Sequence, residues 1–148
     1  MTTLDALDTK IIRILQGDGR ATNANIARSL NVSEGTVRRR LKRLVGEKFI
    51  QILAQPDPIK MGFEAEAMIG MQVDPDKISQ VANSLSELHE INWVAVTTGS
   101  YDIFAWTTLK SSEALGIFLR TKVGVVDGVR RTETFVKLDK MQGYEFII

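Results

Sequence analysis

The chain has no cysteine and, in 148 residues, one histidine, three prolines and two tryptophans. Without cysteine there is no disulfide framework, no thiolate metal site and no thiol nucleophile. A single histidine, His89, leaves no Ser-His-Asp set and no metal-ligand spacing, and no phosphate-cradling glycine loop is present. In SELHEIN, His89 falls near the end of an expected helix, where it reads as a C-terminal cap or a solvent residue. No run approaches the roughly 18 apolar residues needed to cross a bilayer, so no membrane partner is expected. MTTLDALDTK carries acids where a signal peptide has a basic and then an apolar stretch. These absences lead to the expectation of a cytoplasmic protein that is not an enzyme and holds no metal or cofactor.

Charge is present in both signs but unevenly placed. The formal net charge is +1. Up to Lys60 there are eleven Lys/Arg against six Asp/Glu, and from Met61 onward eight against twelve. A basic first part joined to an acidic second part suggests two jobs, the first facing a polyanion.

The first part reads as three helices. Asp5 is suited to cap a helix carrying Ile11, Ile12, Ile14 and Leu15, which should stop between Gly17 and Gly19. Thr22 can cap a second helix with Ile26, Ala27 and Leu30 on one face. Asn31 fits the left-handed conformation that ends a helix, and Val32 plugs the turn. Ser33 then caps a third helix near Thr36. Along it Val37, Leu41, Leu44 and Val45 form a stripe that must bury. Gly35, Thr36, Arg39, Lys42 and Arg43 project from the opposite side, and Arg38 and Arg40 flank the stripe.

Two helices joined by a short turn, the second exposing a basic face, form a helix-turn-helix. Such a helix fits the DNA major groove, its first turns reaching base edges while flanking cations neutralise phosphates. Between Glu34 and Glu47 no acid is interleaved to pair along the helix, so the cations call for an external partner. The candidate DNA-binding residues are Ser33, Gly35, Thr36, Arg38, Arg39, Arg40, Lys42 and Arg43, with double-stranded DNA as partner.

After Lys48, the alternation of Ile50, Ile52 and Ala54 with Gln51, Leu53 and Gln55 predicts a strand, and Pro56 and Pro58 mark a boundary. Alternation over Ala67, Ile69, Met71 and Val73 predicts another. Asp74-Pro75 reads as a cap and first helical position before Ile78, Val81, Ala82, Leu85 and Leu88. WVAVTTGSYDIFAWTTL reads as two strands about a tight GSYD turn. Ser111 or Ser112 caps a helix with Leu115 and Phe118, and VRRTETFVKL closes as a strand. The order βαββαβ predicts a ferredoxin-like antiparallel sheet with both helices on one face. The other face, with Trp93 or Trp106, would then be bare and suited to a second copy.

LDALDTKIIRILQGDGR, NIARSLNVSEGTVRRRLKRL, and FI followed by DPIKMGF resemble the Lrp/AsnC, or feast/famine, transcriptional regulators over the whole chain. Lys48 departs from that pattern, which usually has glycine there. The resemblance implies an α+β protein: a three-helix, winged-type helix-turn-helix domain over 1–48, a strand and linker over 49–63, and a ferredoxin-like effector-binding and oligomerisation domain over 64–148. GSYD matches the family's Gly-x-x-Asp element. By resemblance an amino acid effector would bind near Gly99, Ser100, Tyr101 and Asp102, with hydroxyls from Thr132 and Thr134, at contacts between dimers. GSYD is equally an ordinary hairpin turn. A homodimer assembling to an octamer is expected. The competing readings are an effector-independent architectural DNA-binding protein and an enzyme resembling the sirohaem decarboxylases of this two-domain family.

Overall fold

The computed structural model describes residues 3–139, which form two compact units dividing between Gln55 and Pro56. The first unit holds α1 (Ala6–Gly17), α2 (Asn23–Leu30) and α3 (Glu34–Gly46). Asp5 caps α1 and forms a reciprocal capping box with Asp8: the Asp5 carboxylate accepts from the Asp8 N–H at 2.9 Å, and the Asp8 carboxylate accepts from the Asp5 N–H at 3.1 Å. Thr22 accepts from the Asn25 N–H at 3.2 Å, Asn31 ends α2 at φ 54°, and Ser33 accepts from the Thr36 N–H at 3.1 Å. Each side-chain cap satisfies a donor that the first turn leaves free, an effect of about 1 kcal/mol. Ile11, Ile12, Ile26, Ala27, Val37 and Leu44 make the core, and Val32 packs on it as the turn plug.

Val45 departs from the expected stripe and is 44% exposed. At 100° per residue it lies about 80° round from Val37, whereas Arg40 lies about 60° round the other way. The inner face of α3 therefore centres on Val37 and Leu44, with Arg40 on its flank.

Lys48 takes φ 59°, the left-handed conformation that glycine adopts most easily. The Phe49 N–H donates to the Leu44 carbonyl at 2.9 Å and the Lys48 N–H to the Val45 carbonyl at 3.1 Å. Those are the two bonds of a Schellman ending. The turn is thus kept with a lysine in it, at a steric cost of about 1 kcal/mol or more.

The strand expected after Lys48 does not form, and no wing forms among the described residues of this unit. Alternating side chains make a strand only where a neighbour pairs with the backbone. Among the described residues no strand pairs with residues 50–57, and Ile52 and Leu53 stay exposed. Asp57 instead accepts from the Ile59 N–H at 3.1 Å and opens a short 3-10 turn, Ile59–Met61.

The second unit runs β1 (Ala65–Val73), α4 (Ile78–Ser86), β2 (Ile91–Val96), β3 (Ile103–Leu109), α5 (Ser112–Phe118) and β4 (Val129–Val136), with a π-helical turn at Leu119–Val123. The strands lie in the order β2-β3-β1-β4, all antiparallel, the ferredoxin-like arrangement. Ile69, Met71 and Ile103 face Val81, Leu85 and Phe118 from the helices. Ser111 caps α5, accepting from the Ala114 N–H at 3.1 Å. Asp74 does not cap α4. The Lys77 N–H donates to the Asp74 carbonyl at 2.8 Å, making a turn before the helix, and the Asp74 carboxylate accepts from Arg130. Proline at the second position of a turn satisfies its fixed φ as well as a helix start does.

On the face turned away from α4 and α5, Met68 stands between Trp106 and Phe135, and Trp93 stands beside Trp106. Trp93 is 46% exposed and Phe135 41%. Tyr101 lies on this face over Gly70, where a Cβ would come within 2.9 Å of its ring. The ring meets Phe104 and Phe135 edge-on, with centroids 5.4 and 6.2 Å apart.

Two outcomes are expected in urea denaturation. Lys48→Gly raises stability by about 0.5–1 kcal/mol, the relief of left-handed strain less the added chain entropy of glycine. Gly70→Ala lowers it by about 1–3 kcal/mol, because the methyl displaces Tyr101 or Phe104.

Candidate nucleic-acid interface and effector site

The five cations between Arg38 and Arg43 fall into three environments. Arg40 Nη1 donates to both oxygens of Asp8, at 3.2 and 3.3 Å, and to Asp5. Arg43 Nη2 donates to Asp8 as well. The Asp8 side chain is fully buried, and the two arginines are 24% and 27% exposed. Arg43 Nε is sealed from solvent with no hydrogen-bond partner among the described residues. Arg38 pairs at 2.8 Å with Glu34, one turn back on its own helix, with both side chains open to water. Arg39 and Lys42 are exposed and make no ion pair or side-chain hydrogen bond among the described residues.

Two readings from sequence are corrected here. Arg43 does not project opposite the buried stripe but turns with Arg40 toward α1. The cations also do not all call for an external partner. Their neighbours along α3 supply only Glu34, but the first turn of α1 supplies Asp5 and Asp8. The overlooked signal is the D-x-x-D of the capping box, which points two carboxylates from one helix end, combined with Arg40 and Arg43 at i, i+3 spacing. The Asp8 N–H first, and then the Arg40 guanidinium, hold the Asp5 carboxyl below its ordinary pKa against the opposing effect of burial. The hydrogen bond to Asp5 is the main cause raising the pKa of Arg40.

At the N-terminus of α3, Ser33 Oγ lies 2.8 Å from Thr36 Oγ1 besides capping the helix. A Cβ on Gly35 would meet nothing nearer than Ser33 Oγ at 4.0 Å. Nothing within the fold requires glycine there.

In the second unit the connection between β2 and β3 spans residues 97–102 and is longer than the four-residue turn read from sequence. Gly99 takes φ 115° with open space around it. The Thr97 N–H and Oγ1 donate to the carbonyls of Asp102 and Tyr101, at 2.9 and 2.8 Å, and Gln72 Nε2 donates to the Ser100 carbonyl at 3.0 Å. The Asp102 carboxylate accepts from the Val73 N–H at 2.8 Å, closing the end of β1 beside a register shift in its pairing with β4. The Tyr101 hydroxyl donates to Glu133, and that bond is the main cause raising the phenol pKa.

Gly99, Ser100, Tyr101 and Asp102 are thus gathered in one connection, with Gln72 and Glu133 beside them. Thr132 and Thr134 are register partners of Met71 and Ile69 and lie on the helix-covered side of the sheet. Glu133, partner of Gly70, lies on the Tyr101 side. The period of two along β4 already separates it from both threonines. Among the described residues no three His, Asp or Glu side chains cluster as metal ligands, and no helix is long and apolar enough to cross a membrane. The His89 side chain is largely in solvent.

Comparison with known proteins bears on both sites. Residues 4–45 match the AsnC-type helix-turn-helix domain and residues 66–143 the Lrp/AsnC ligand binding domain. An uncharacterised HTH-type transcriptional regulator of Pyrococcus furiosus is 41% identical over 134 residues, covering 90% of each chain. Escherichia coli AsnC superposes with a TM-score of 0.90 at 25% identity, over 99% of this chain and 100% of that one. A Neisseria meningitidis regulator described as an L-Met complex shares the fold at TM-score 0.88 and 23% identity, over 99% and 96% of the two chains. A basic three-helix unit followed by a four-stranded βαββαβ unit, each matched over nearly its whole length, places this chain in the Lrp/AsnC family of helix-turn-helix transcriptional regulators, DNA-binding proteins with a ligand-binding domain rather than enzymes.

Proposed function

We propose that the chain is a sequence-specific, cytoplasmic DNA-binding regulator working as a homodimer or as an octamer built from four dimers, whose DNA binding or assembly responds to an amino acid. The observation that carries this reading is the division of α3. Val37 and Leu44 are anchored in the core, while Arg39 and Lys42 stand on the solvent side without an ion pair among the described residues, with Arg38 beside them. A helix buried on one face and cationic on the other fits the major groove, and an arginine fork can read guanine.

Ser33, Gly35 and Thr36 make the approaching end of α3. Glycine there adds backbone entropy with no return in packing, so the open space above it supports close approach of an external surface. Arg40 and Arg43 serve the junction with α1 instead.

For the effector, Gly99 leaves backbone donors uncovered, and Ser100 and Tyr101 offer polar atoms beside the Glu133 carboxylate, a natural acceptor for an ammonium group. Asp102 shapes the connection through Val73. The shared fold of the neisserial regulator that holds L-methionine supports an amino acid as the ligand class. The bare apolar face bearing Trp93, Trp106 and Phe135 supports pairing with a second copy.

Selection of duplexes from a random pool tests the DNA reading, and a consensus is expected. A pool without one would favour an architectural protein. On the selected duplex, Arg39→Ala reduces affinity by about 1–3 kcal/mol and relaxes one base position, whereas Lys42→Ala weakens selected and random duplexes alike. Equal losses on both duplexes for Arg39→Ala overturn its assignment as a base reader. In thermal unfolding against each of the twenty amino acids, a ligand at about 100 times its Kd adds roughly 2.7 kcal/mol. A shift with one or a few is expected, and none with any overturns the amino acid reading.

A further inference from the structure

We infer that Asp5 and Asp8 limit the sequence-independent DNA affinity of this protein by holding Arg40 and Arg43 away from phosphate, so that α3 offers three cations to DNA instead of five. The inference rests on α3 being the DNA-facing helix. Carboxylate and phosphate accept the same guanidinium fork. An arginine committed to one is not available to the other.

Burial separates the held pairs from the exchangeable one. Arg38 and Glu34 are 70% and 48% exposed, so phosphate can replace that carboxylate at little cost. Asp8 is fully buried, with Oδ1 taken by Arg40 and Oδ2 by Arg40, Arg43 and the Asp5 N–H. Were the two arginines to leave for phosphate, Asp8 would remain as an uncompensated charge in the interior. Asp5 adds a second carboxylate on the outer side of Arg40.

The consequence concerns total affinity and its salt dependence. Each cation that neutralises a phosphate steepens the dependence of log K on log salt by about 0.9, and this contribution is blind to sequence. Withdrawing two arginines therefore lowers the affinity for selected and random duplexes by the same factor and flattens both salt dependences. Base reading by Arg39 is untouched. The carboxylates of α1 are therefore positioning residues that act on DNA affinity through the two arginines.

The test measures anisotropy of a selected and a random duplex with the full chain between about 50 and 200 mM salt. Arg40→Gln and Arg43→Gln each leave one cation on Asp8. Both are expected to keep the wild-type slope, while Arg39→Gln flattens it by about 0.9 for each α3 engaged. Asp5→Asn keeps a good helix cap, frees the outer side of Arg40, steepens the slope and tightens selected and random DNA alike, several-fold. Asp8→Asn should go further in the same direction. If circular dichroism shows that this variant does not fold, the Asp5 and arginine variants decide. A slope flattened by Arg40→Gln as much as by Arg39→Gln overturns the inference, as does an unchanged slope in Asp5→Asn. If Arg39→Gln and Lys42→Gln also change nothing, α3 is not the DNA-facing helix and the underlying reading falls with it.

Discussion

The Asp8 carboxylate, buried between two arginines, is the constraint on which the first unit turns. It ties the first turn of α1 to the middle of α3 and closes the capping box that starts α1. With Arg40 and Arg43 drawn to that side, the azimuth of α3 is set, and Arg39 and Lys42 are left facing outward. Hydrophobic burial of Val37 and Leu44 alone would fix which side of the helix faces in only broadly, since apolar contact is non-directional. A charge pair with defined donors and acceptors is directional.

The second unit handles its cations differently. Lys77, Lys122, Arg130 and Lys137 are each paired with an acid of the same unit: Asp127, Glu90, Asp74 and Glu66. The acidic surplus read from sequence after Lys60 is thus partly consumed in stitching strands and helices together. Its outward chemistry lies on the bare aromatic face and in the 97–102 connection.

Much of this was legible in the sequence because local rules decide it. The caps at Asp5, Thr22 and Ser33, the left-handed Asn31 and the βαββαβ order follow from residue types and period, and the structure has them. What sequence could not supply depends on partners distant in the chain. Arg43 looked solvent-facing because the acid that claims it is 35 residues away. The segment with Ile50 and Ile52 has the alternation of a strand and, among the described residues, no strand pairs with it. Thr132 and Thr134 joined the candidate effector set by chemistry, but register on β1 puts them on the opposite side from Tyr101. Asp102 looked like a ligand acceptor, and its carboxylate is engaged by Val73.

Tyr101 belongs to two surfaces at once. Its backbone is part of the 97–102 connection, and its ring is pressed against Gly70, Phe104 and Phe135 on the bare side of the sheet. Gly70 has no side chain to yield, so the ring cannot sink and must move sideways if the connection moves. Anything that reorders the connection and anything that packs on the aromatic face therefore act on one shared group. Thermodynamic reciprocity follows: if the first changes the free energy of the second, the second changes the first by the same factor.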